Sequence, residues 1–173
     1  MKYVAFLRAI NVGGNAIIKM SDLKKMFESA GMENVQTYIQ SGNVIFESDE
    51  DTDTIAKQLE RQLENAARYK IELFVRTMRE VQYIAEKSPF HPKDGETAYV
   101  TFLSKKPDKK SQQALLAFKS EADDFVFKKR ELYNLRRDRE NSVFSGNFVE
   151  RILKMPATTR NLTTITKIVE KYR

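Results

Sequence analysis

The stretch VQTYIQSGNVIFES, residues 35–48, decides how this chain folds. Two runs rich in β-branched and aromatic residues flank Ser41-Gly42, and this arrangement predicts a β-hairpin whose turn contains that pair. A helical pattern lies on each side of the hairpin, and a strand-like run lies beyond each helix. The N-terminal region is therefore predicted to have the element order βαββαβ.

Hydrophobic spacing predicts the elements around this hairpin. Ser21 is predicted to cap a helix that ends at Gly31. A longer helix carries Ile55, Leu59 and Leu63 on one face, since they are four residues apart. The predicted elements of this half are a strand over 3–8, a helix over 21–31, hairpin strands over 35–40 and 43–48, a helix over 52–68, a strand over 71–75 and a connecting helix over 78–87.

The same element order recurs in the second half. Its predicted elements are a strand over 97–103, a helix over 109–119, hairpin strands over 125–129 and 132–136, a helix over 147–154, an extended segment over 157–161 and a last helix over 163–172. We interpret this order as an architectural duplication, although the halves are expected to share no residue-level repeat. The prediction is an α+β protein with two ferredoxin-like subdomains built on antiparallel sheets, at 1–76 and 97–173. A connecting helix and loop at 77–96 join them, and the second subdomain ends in a terminal helix.

Composition excludes several kinds of chemistry. The 173 residues contain no cysteine, which excludes disulfides, thiolate nucleophiles and cysteine-based zinc sites. His91 is the only histidine, and its position between two prolines favours a structural role in a loop. The acidic run at 48–53 lacks the spacing of a calcium loop and is typical of a helix N-terminus. We therefore expect no metal site, no cofactor and no catalytic residue.

The charge of the chain is unevenly distributed. Residues 1–75 carry a formal charge of −2, whereas residues 76–173 carry +8. The segment KKRELYNLRRDR, 128–139, contains six of the basic residues, as a nucleic-acid surface or a protected edge strand would. The apolar run at the N-terminus breaks at Arg8, too early for a signal peptide or a membrane span, so a cytoplasmic protein without membrane association is expected.

The ferredoxin-like strand order brings two polar segments to one edge. Its first and third strands are antiparallel neighbours, so RAINVGGN, 8–15, is expected beside QSGN, 40–43. Glycines let backbone N–H groups converge on an anion, amides add neutral donors, and an arginine binds phosphate or carboxylate in bidentate fashion. The predicted ligand-binding residues at this edge are Arg8, Asn11, Gly13, Gly14, Asn15, Gln40, Ser41 and Asn43. The alternative is that these residues only allow the chain to turn.

Three motifs resemble a known family. LRAINVGG at 7–14, TYIQSGNVIF at 37–46 and PATTRNLTTITKI at 156–168 are similar in order and spacing to the bacterial family called domain of unknown function 1697. The resemblance implies two ferredoxin-like α+β subdomains and implies no activity. Ala9 stands where the family usually has glycine, and Leu162 stands where it usually has tryptophan. The leucine favours a core role for that position over stacking on a ligand.

A second polar cluster lies near the C-terminus. Asn161 or Thr163 is expected to cap the last helix, and Arg160 beside a helix N-terminus would favour an anion. Arg160 and Asn161 therefore join the predicted ligand-binding set. We expect a non-catalytic protein that binds a small phosphorylated or nucleotide-like ligand. The alternatives are a nucleic-acid-associated protein that uses the basic C-terminal half, or a protein-interaction module.

Overall fold

The computed structural model describes residues 1–8, 18–145 and 147–173. The first half contains β1 (Lys2–Leu7), α1 (Met20–Ser29), β2 (Glu33–Tyr38), β3 (Asn43–Glu47), α2 (Thr52–Ala67), β4 (Leu73–Thr77) and α3 (Met78–Glu86). The second half contains β5 (Thr97–Leu103), α4 (Lys109–Leu116), β6 (Asp123–Lys128), β7 (Glu131–Arg136), α5 (Phe148–Leu153), β8 (Ala157–Asn161) and α6 (Leu162–Tyr172). In the described ranges, every helix is too short or too polar to cross a bilayer.

The strands form two four-stranded antiparallel sheets. Their orders are β2-β3-β1-β4 and β6-β7-β5-β8, so the first and third strands of each half are central neighbours. This strand order, with a helix after the first and third strands of each half, is the ferredoxin-like arrangement. The predicted α+β fold with two ferredoxin-like subdomains is confirmed.

The chain forms two compact units. One contains residues 1–83 together with 168–173, and the other contains residues 84–167. The divisions lie inside α3 and α6, whereas the sequence predicted subdomains at 1–76 and 97–173 joined by a connection at 77–96. We call these the first unit and the second unit.

The core of the first unit lies between its sheet and the helices α1 and α2. Ile55, Leu59 and Leu63 are fully buried there, as their spacing in α2 predicts. The side chain of Asp51 caps α2, because its Oδ1 accepts from the backbone N–H groups of Asp53 and Thr54, both at 3.0 Å. The acidic run before this helix therefore stabilises the helix start.

The two ends of α1 differ in how well the sequence predicted them. The prediction that Ser21 caps the helix is wrong: α1 begins at Met20, and Lys19 occupies the cap position without a side-chain hydrogen bond. The predicted end at Gly31 is confirmed. Gly31 has φ +86, its N–H donates to the Glu28 carbonyl, and the Met32 N–H donates to the Phe27 carbonyl. These two bonds form a Schellman motif, which favours glycine at that position.

The core of the second unit has the same layout. Phe125 of β6 stacks on Phe148 of α5, with their ring centroids 5.8 Å apart. Asp108 caps α4 by accepting from the Ser111 N–H at 2.7 Å. The helix ends at Leu116, before the predicted end at residue 119.

The two halves share more than their element order. YVAFL at 3–7 and YVTFL at 99–103 lie in the central strands β1 and β5. Val4 is paired with Arg76 of β4, and Val100 is paired with Arg160 of β8. Both arginines are buried. The expectation that the halves share no residue-level repeat is therefore wrong for these strands.

Candidate ligand-binding edge

The end of β1 and the turn between β2 and β3 meet at one edge of the first sheet. Phe6 is paired with Asn43, and the Leu7 N–H donates to the Gly42 carbonyl at 2.8 Å. On the β4 side of β1, the Arg8 N–H donates to the Glu72 carbonyl at 2.8 Å. This hydrogen bonding brings Arg8, Gln40, Ser41 and Asn43 to the same edge. The other predicted residues of the edge, Asn11, Gly13, Gly14 and Asn15, lie outside the described residues.

The turn over 39–42 contains two residues in the left-handed region. Gly42 has φ +82, which glycine adopts without strain. Ile39 has φ +50, which costs a residue with a Cβ roughly 1–2 kcal/mol. The side chain of Ile39 is also 50% exposed, which is unusual for a large apolar residue. Ile39 is therefore a strained, exposed member of the edge that the sequence analysis missed.

The buried side chain of Asn43 holds this turn by hydrogen bonds. Its side chain is 0% exposed, and its Nδ2 donates to the Tyr38 carbonyl at 2.9 Å and to Ser41 Oγ at 3.0 Å. The amide thus links the last residue of β2 to the turn. Gln40 and Ser41 are exposed, so they are the members of the turn that a ligand can reach.

Arg8 lies at the end of β1 in an ion pair. Its Nη1 is 3.1 Å from Glu72 Oε2, and the Arg8 side chain is 38% exposed. Glu72 is largely buried and also pairs with Lys70, whose Nζ lies 3.2 Å from Oε1. The three side chains together carry a formal charge of +1. The ion pair holds the guanidinium on the β4 side of β1, at a position that solvent reaches.

The second predicted cluster belongs to the second unit. Asn161 Oδ1 accepts from the Thr163 N–H at 2.9 Å at the start of α6, the capping role predicted for it. Arg160 is only 7% exposed, and its Nη1 donates to Thr158 Oγ1 at 2.7 Å and to the Thr159 carbonyl at 2.9 Å. Burial lowers the pKa of the Arg160 guanidinium to about 10, so it is still protonated at neutral pH. These contacts give Arg160 a structural role within β8.

The basic hairpin at 128–139 uses several of its charges within the second unit. Lys128 Nζ donates to the Lys87 carbonyl at 2.7 Å. The Arg136 guanidinium lies 5.1 Å from the centre of the Tyr99 ring, and Arg137 lies 3.6 Å from an oxygen of Asp124. Of these residues, Lys128 lies on the edge strand β6, whereas Arg136 belongs to β7, which is central in the sheet.

The remaining sequence predictions concern His91, metal sites and Leu162. His91 is exposed in the loop before β5. Across the part of the chain that the structure describes, no three metal-ligating side chains lie together. Leu162, the departure from the family pattern, is the half-buried first residue of α6.

Two cavities lie away from the candidate edge. One, of about 520 Å³, lies at the opposite end of β1, and its lining includes Lys2, Lys24, Glu28 and Glu47, whose charges cancel. The other, of about 400 Å³, belongs to the second unit and has three lysines and one aspartate in its lining. The two cavities therefore differ in electrostatic character.

Comparisons with known proteins agree with this architecture. Among curated proteins, none matches the sequence. A solved structure, that of the conserved bacterial protein SP0830 from Streptococcus pneumoniae, is similar with a TM-score of 0.78 and 22% identity. The likeness covers 98% of this chain and 96% of that one, which supports the fold. Residues 1–133 match the model of a family described as a protein of unknown function, DUF1697. This chain therefore belongs to the DUF1697 family.

Proposed function

We propose that this protein binds a small anionic or nucleotide-like ligand at the edge formed by RAINVGGN, 8–15, and QSGN, 40–43, and that it does so without catalysing a reaction. The observation that carries the proposal is the hydrogen bond from the Leu7 N–H to the Gly42 carbonyl, because it holds the start of the glycine-containing segment beside the turn. The ligand we propose is a cytoplasmic metabolite, in keeping with the location expected from the sequence.

The groups at this edge suit an anion. Arg8 supplies a positive charge that is held by Glu72 and partly exposed. Gln40 and Ser41 supply an exposed amide and hydroxyl, which bind a phosphate or the polar edge of a base. The buried amide of Asn43 fixes the turn before a ligand arrives, so less ordering entropy is lost on binding.

The same groups support binding better than catalysis. Guanidinium, amide and hydroxyl groups do not change their protonation state near pH 7, so they are poor general acids and bases. The carboxylate of Glu72 is held in ion pairs with Arg8 and Lys70. The described residues of the edge therefore offer electrostatic recognition and no matched acid and base.

A thermal-shift screen of the full chain tests the proposal. The probes are inorganic phosphate, adenosine monophosphate, sugar phosphates and a short RNA, at low and moderate salt. A ligand at a hundredfold excess over Kd stabilises the folded state by about 2.7 kcal/mol, which raises the melting temperature by roughly 5–10 °C for a chain of this size. We expect such a shift from one small phosphorylated compound at moderate salt.

Matched variants show whether the shift comes from this edge. Arg8→Gln and Asn11→Ala should abolish it without unfolding the protein. Arg61→Gln removes an exposed positive charge from α2 of the same unit and should leave it unchanged. A shift only with RNA, lost as salt rises, would favour the nucleic-acid alternative. No shift with any probe would favour a protein-interaction module and contradict the proposal.

A further inference from the structure

The second unit has an edge equivalent to the candidate ligand-binding edge. In the first unit, Phe6 is paired with Asn43 and the Leu7 N–H donates to the turn that precedes it. In the second unit, Phe102 is paired with Glu131, and the Leu103 N–H donates to the Arg130 carbonyl at 3.0 Å. The loop after β5 and the turn between β6 and β7 therefore occupy the positions of RAINVGGN and QSGN.

The two segments of this second edge are strongly basic. The loop after β5 and the start of α4 contain KKPDKK at 105–110, and the end of β6 and the turn after it contain KKR at 128–130. They bring seven basic residues and one acidic residue to one end of the sheet. The two segments are separated in the sequence, and the hydrogen bond between Leu103 and Arg130 brings their basic residues together.

A cavity of about 400 Å³ lies between these segments. Its basic wall consists of Lys106 from the loop, Lys109 at the start of α4 and Lys129 from the turn. The remaining lining residues are Pro107, Asp108, Gln112 and Phe127. This volume is in the range of small-molecule sites and is too small for a folded partner.

The wall of the cavity is held in place by its own hydrogen bonds. Gln112 Nε2 donates to the Pro107 carbonyl at 2.8 Å, and Asp108 Oδ1 accepts from the Ser111 N–H at 2.7 Å. Phe127 packs against the buried core of the unit. These contacts fix the loop that carries Lys106 relative to α4, whose first residue is Lys109.

The charge of the cavity is positive at neutral pH. The pKa of Asp108 is lowered, chiefly by the backbone hydrogen bond from Ser111, so this carboxylate is ionised. The lining then carries three positive charges and one negative charge. The N-terminus of α4 adds a partial positive charge at the same place.

We infer that this cavity binds a compact oligophosphate, a small molecule that carries two or more adjacent phosphate groups. Lysine ammonium groups act as point charges that bind phosphates in many orientations, unlike the planar guanidinium of an arginine, whose donors have a fixed geometry. A single phosphate carries a charge of about −1.5 to −2 at pH 7, which matches only the lining itself. The two basic segments together have seven basic residues and one acidic residue, so two or more adjacent phosphates compensate their excess charge more fully than one does. The walls and volume favour a compact ligand over a polymer that passes along a surface.

The backbone of the turn supplies a variant that separates binding from folding. Lys129 has φ +54, a conformation that glycine adopts without strain. Lys129→Gly therefore removes a charge from the cavity and is compatible with the turn. We expect it to weaken oligophosphate binding without lowering the melting temperature.

Isothermal titration calorimetry of the full chain with sodium tripolyphosphate tests the inference. We expect saturable one-site binding that weakens by about tenfold or more in the double variant Lys106→Gln/Lys109→Gln, because charge-assisted hydrogen bonds are lost. The control is Lys57→Gln/Lys167→Gln, which removes the same charge from exposed positions on α2 and α6. It should change the affinity by less than about twofold, since neither lysine lines the cavity.

Three results would overturn the inference. The first is that the wild-type chain does not bind tripolyphosphate. The second is that both double variants bind it equally weakly, which would indicate general charge attraction. In the third, a single-stranded oligonucleotide without terminal phosphates binds more tightly than tripolyphosphate and loses affinity in Lys106→Gln/Lys109→Gln. That result would assign the cavity to a nucleic-acid backbone.

Discussion

The buried amide of Asn43 connects the sequence of the turn to its shape. Asn43 was predicted as a ligand residue because its amide offers neutral hydrogen-bond donors and acceptors, whereas the alternative was that it only allows the chain to turn. In the structure its donors serve Tyr38 and Ser41 instead. Residue type indicated a special position here, but only the pairing of β1 with β3 determines which face the side chain occupies.

Removing this amide should destabilise the protein. In Asn43→Ala, the Tyr38 carbonyl and the Ser41 hydroxyl lose a buried donor, which costs about 1–3 kcal/mol in the free energy of unfolding. Urea denaturation measures this change. Gln36→Ala, at an exposed position of β2, should stay within about 0.5 kcal/mol of wild type. Equal stability of both variants would show that Asn43 does not hold the turn.

Relieving the strain at Ile39 should have the opposite effect. Glycine adopts φ +50 without a Cβ clash, so Ile39→Gly should raise the melting temperature by about 1–4 °C. Ile39→Val keeps the branched Cβ and should bring no increase. Differential scanning calorimetry compares the three proteins. A lower melting temperature for Ile39→Gly than for Ile39→Val would show that the side chain stabilises the fold more than its conformation strains it.

At the scale of elements, helix ends separate what the sequence could predict from what it could not. Asp51 and Asp108 both cap helices by accepting backbone hydrogen bonds, and Gly31 ends α1 as expected. Ser21 fails as a cap because α1 starts at Met20, and Lys19, two residues before Ser21, has the extended backbone conformation of a cap. A capping residue thus predicts a helix end only where the backbone places it at the boundary.

The cap at Asp51 predicts a specific dependence on pH. Hydrogen bonds from Thr54, first from its backbone N–H and then from its hydroxyl, lower the pKa of Asp51 in the folded state. The ionised carboxylate therefore contributes stability above the unfolded-state pKa of about 3.9, and this contribution is lost as pH falls through the lower folded-state value.

Melting temperatures from pH 7 to pH 2 measure this contribution. Asp51→Asn keeps a good capping side chain without the charge. The advantage of wild type over this variant should be present at pH 7 and vanish towards pH 2. Asp51→Ala should be less stable than Asp51→Asn at pH 7. A constant difference between wild type and Asp51→Asn across the range would contradict the assigned role of the charge.

At the scale of the whole molecule, the repeated element order was predictable and its residue-level basis was not. Helix and strand periodicities, with turn residues between them, fix the order βαββαβ in each half. The match between YVAFL and YVTFL covers only one strand, so it stands out only after β1 and β5 are known to be equivalent. The burial of Arg76 and Arg160 has no sequence signal, because arginine is usually exposed.

Equivalent core positions in the two units should be equally sensitive. Leu7 and Leu103 end the equivalent strands and are both fully buried. Leu7→Ala and Leu103→Ala should each lower the free energy of unfolding by about 2–5 kcal/mol, because each leaves a cavity. Val143→Ala, at an exposed position, is the control for chemical denaturation. A neutral effect at either leucine would contradict the equivalence of the two cores.

The most direct test of the candidate edge is a nuclear magnetic resonance titration of the 15N-labelled full chain with adenosine monophosphate at moderate salt. The amides of Leu7, Arg8, Ser41 and Gly42 are predicted to shift together and to saturate, and Arg8→Gln is predicted to remove the effect. The edge does not bind the ligand proposed for it if the chemical shifts of these four amides do not change at millimolar ligand. The same conclusion follows if the ligand-induced shift changes are as large in Arg8→Gln as in wild type.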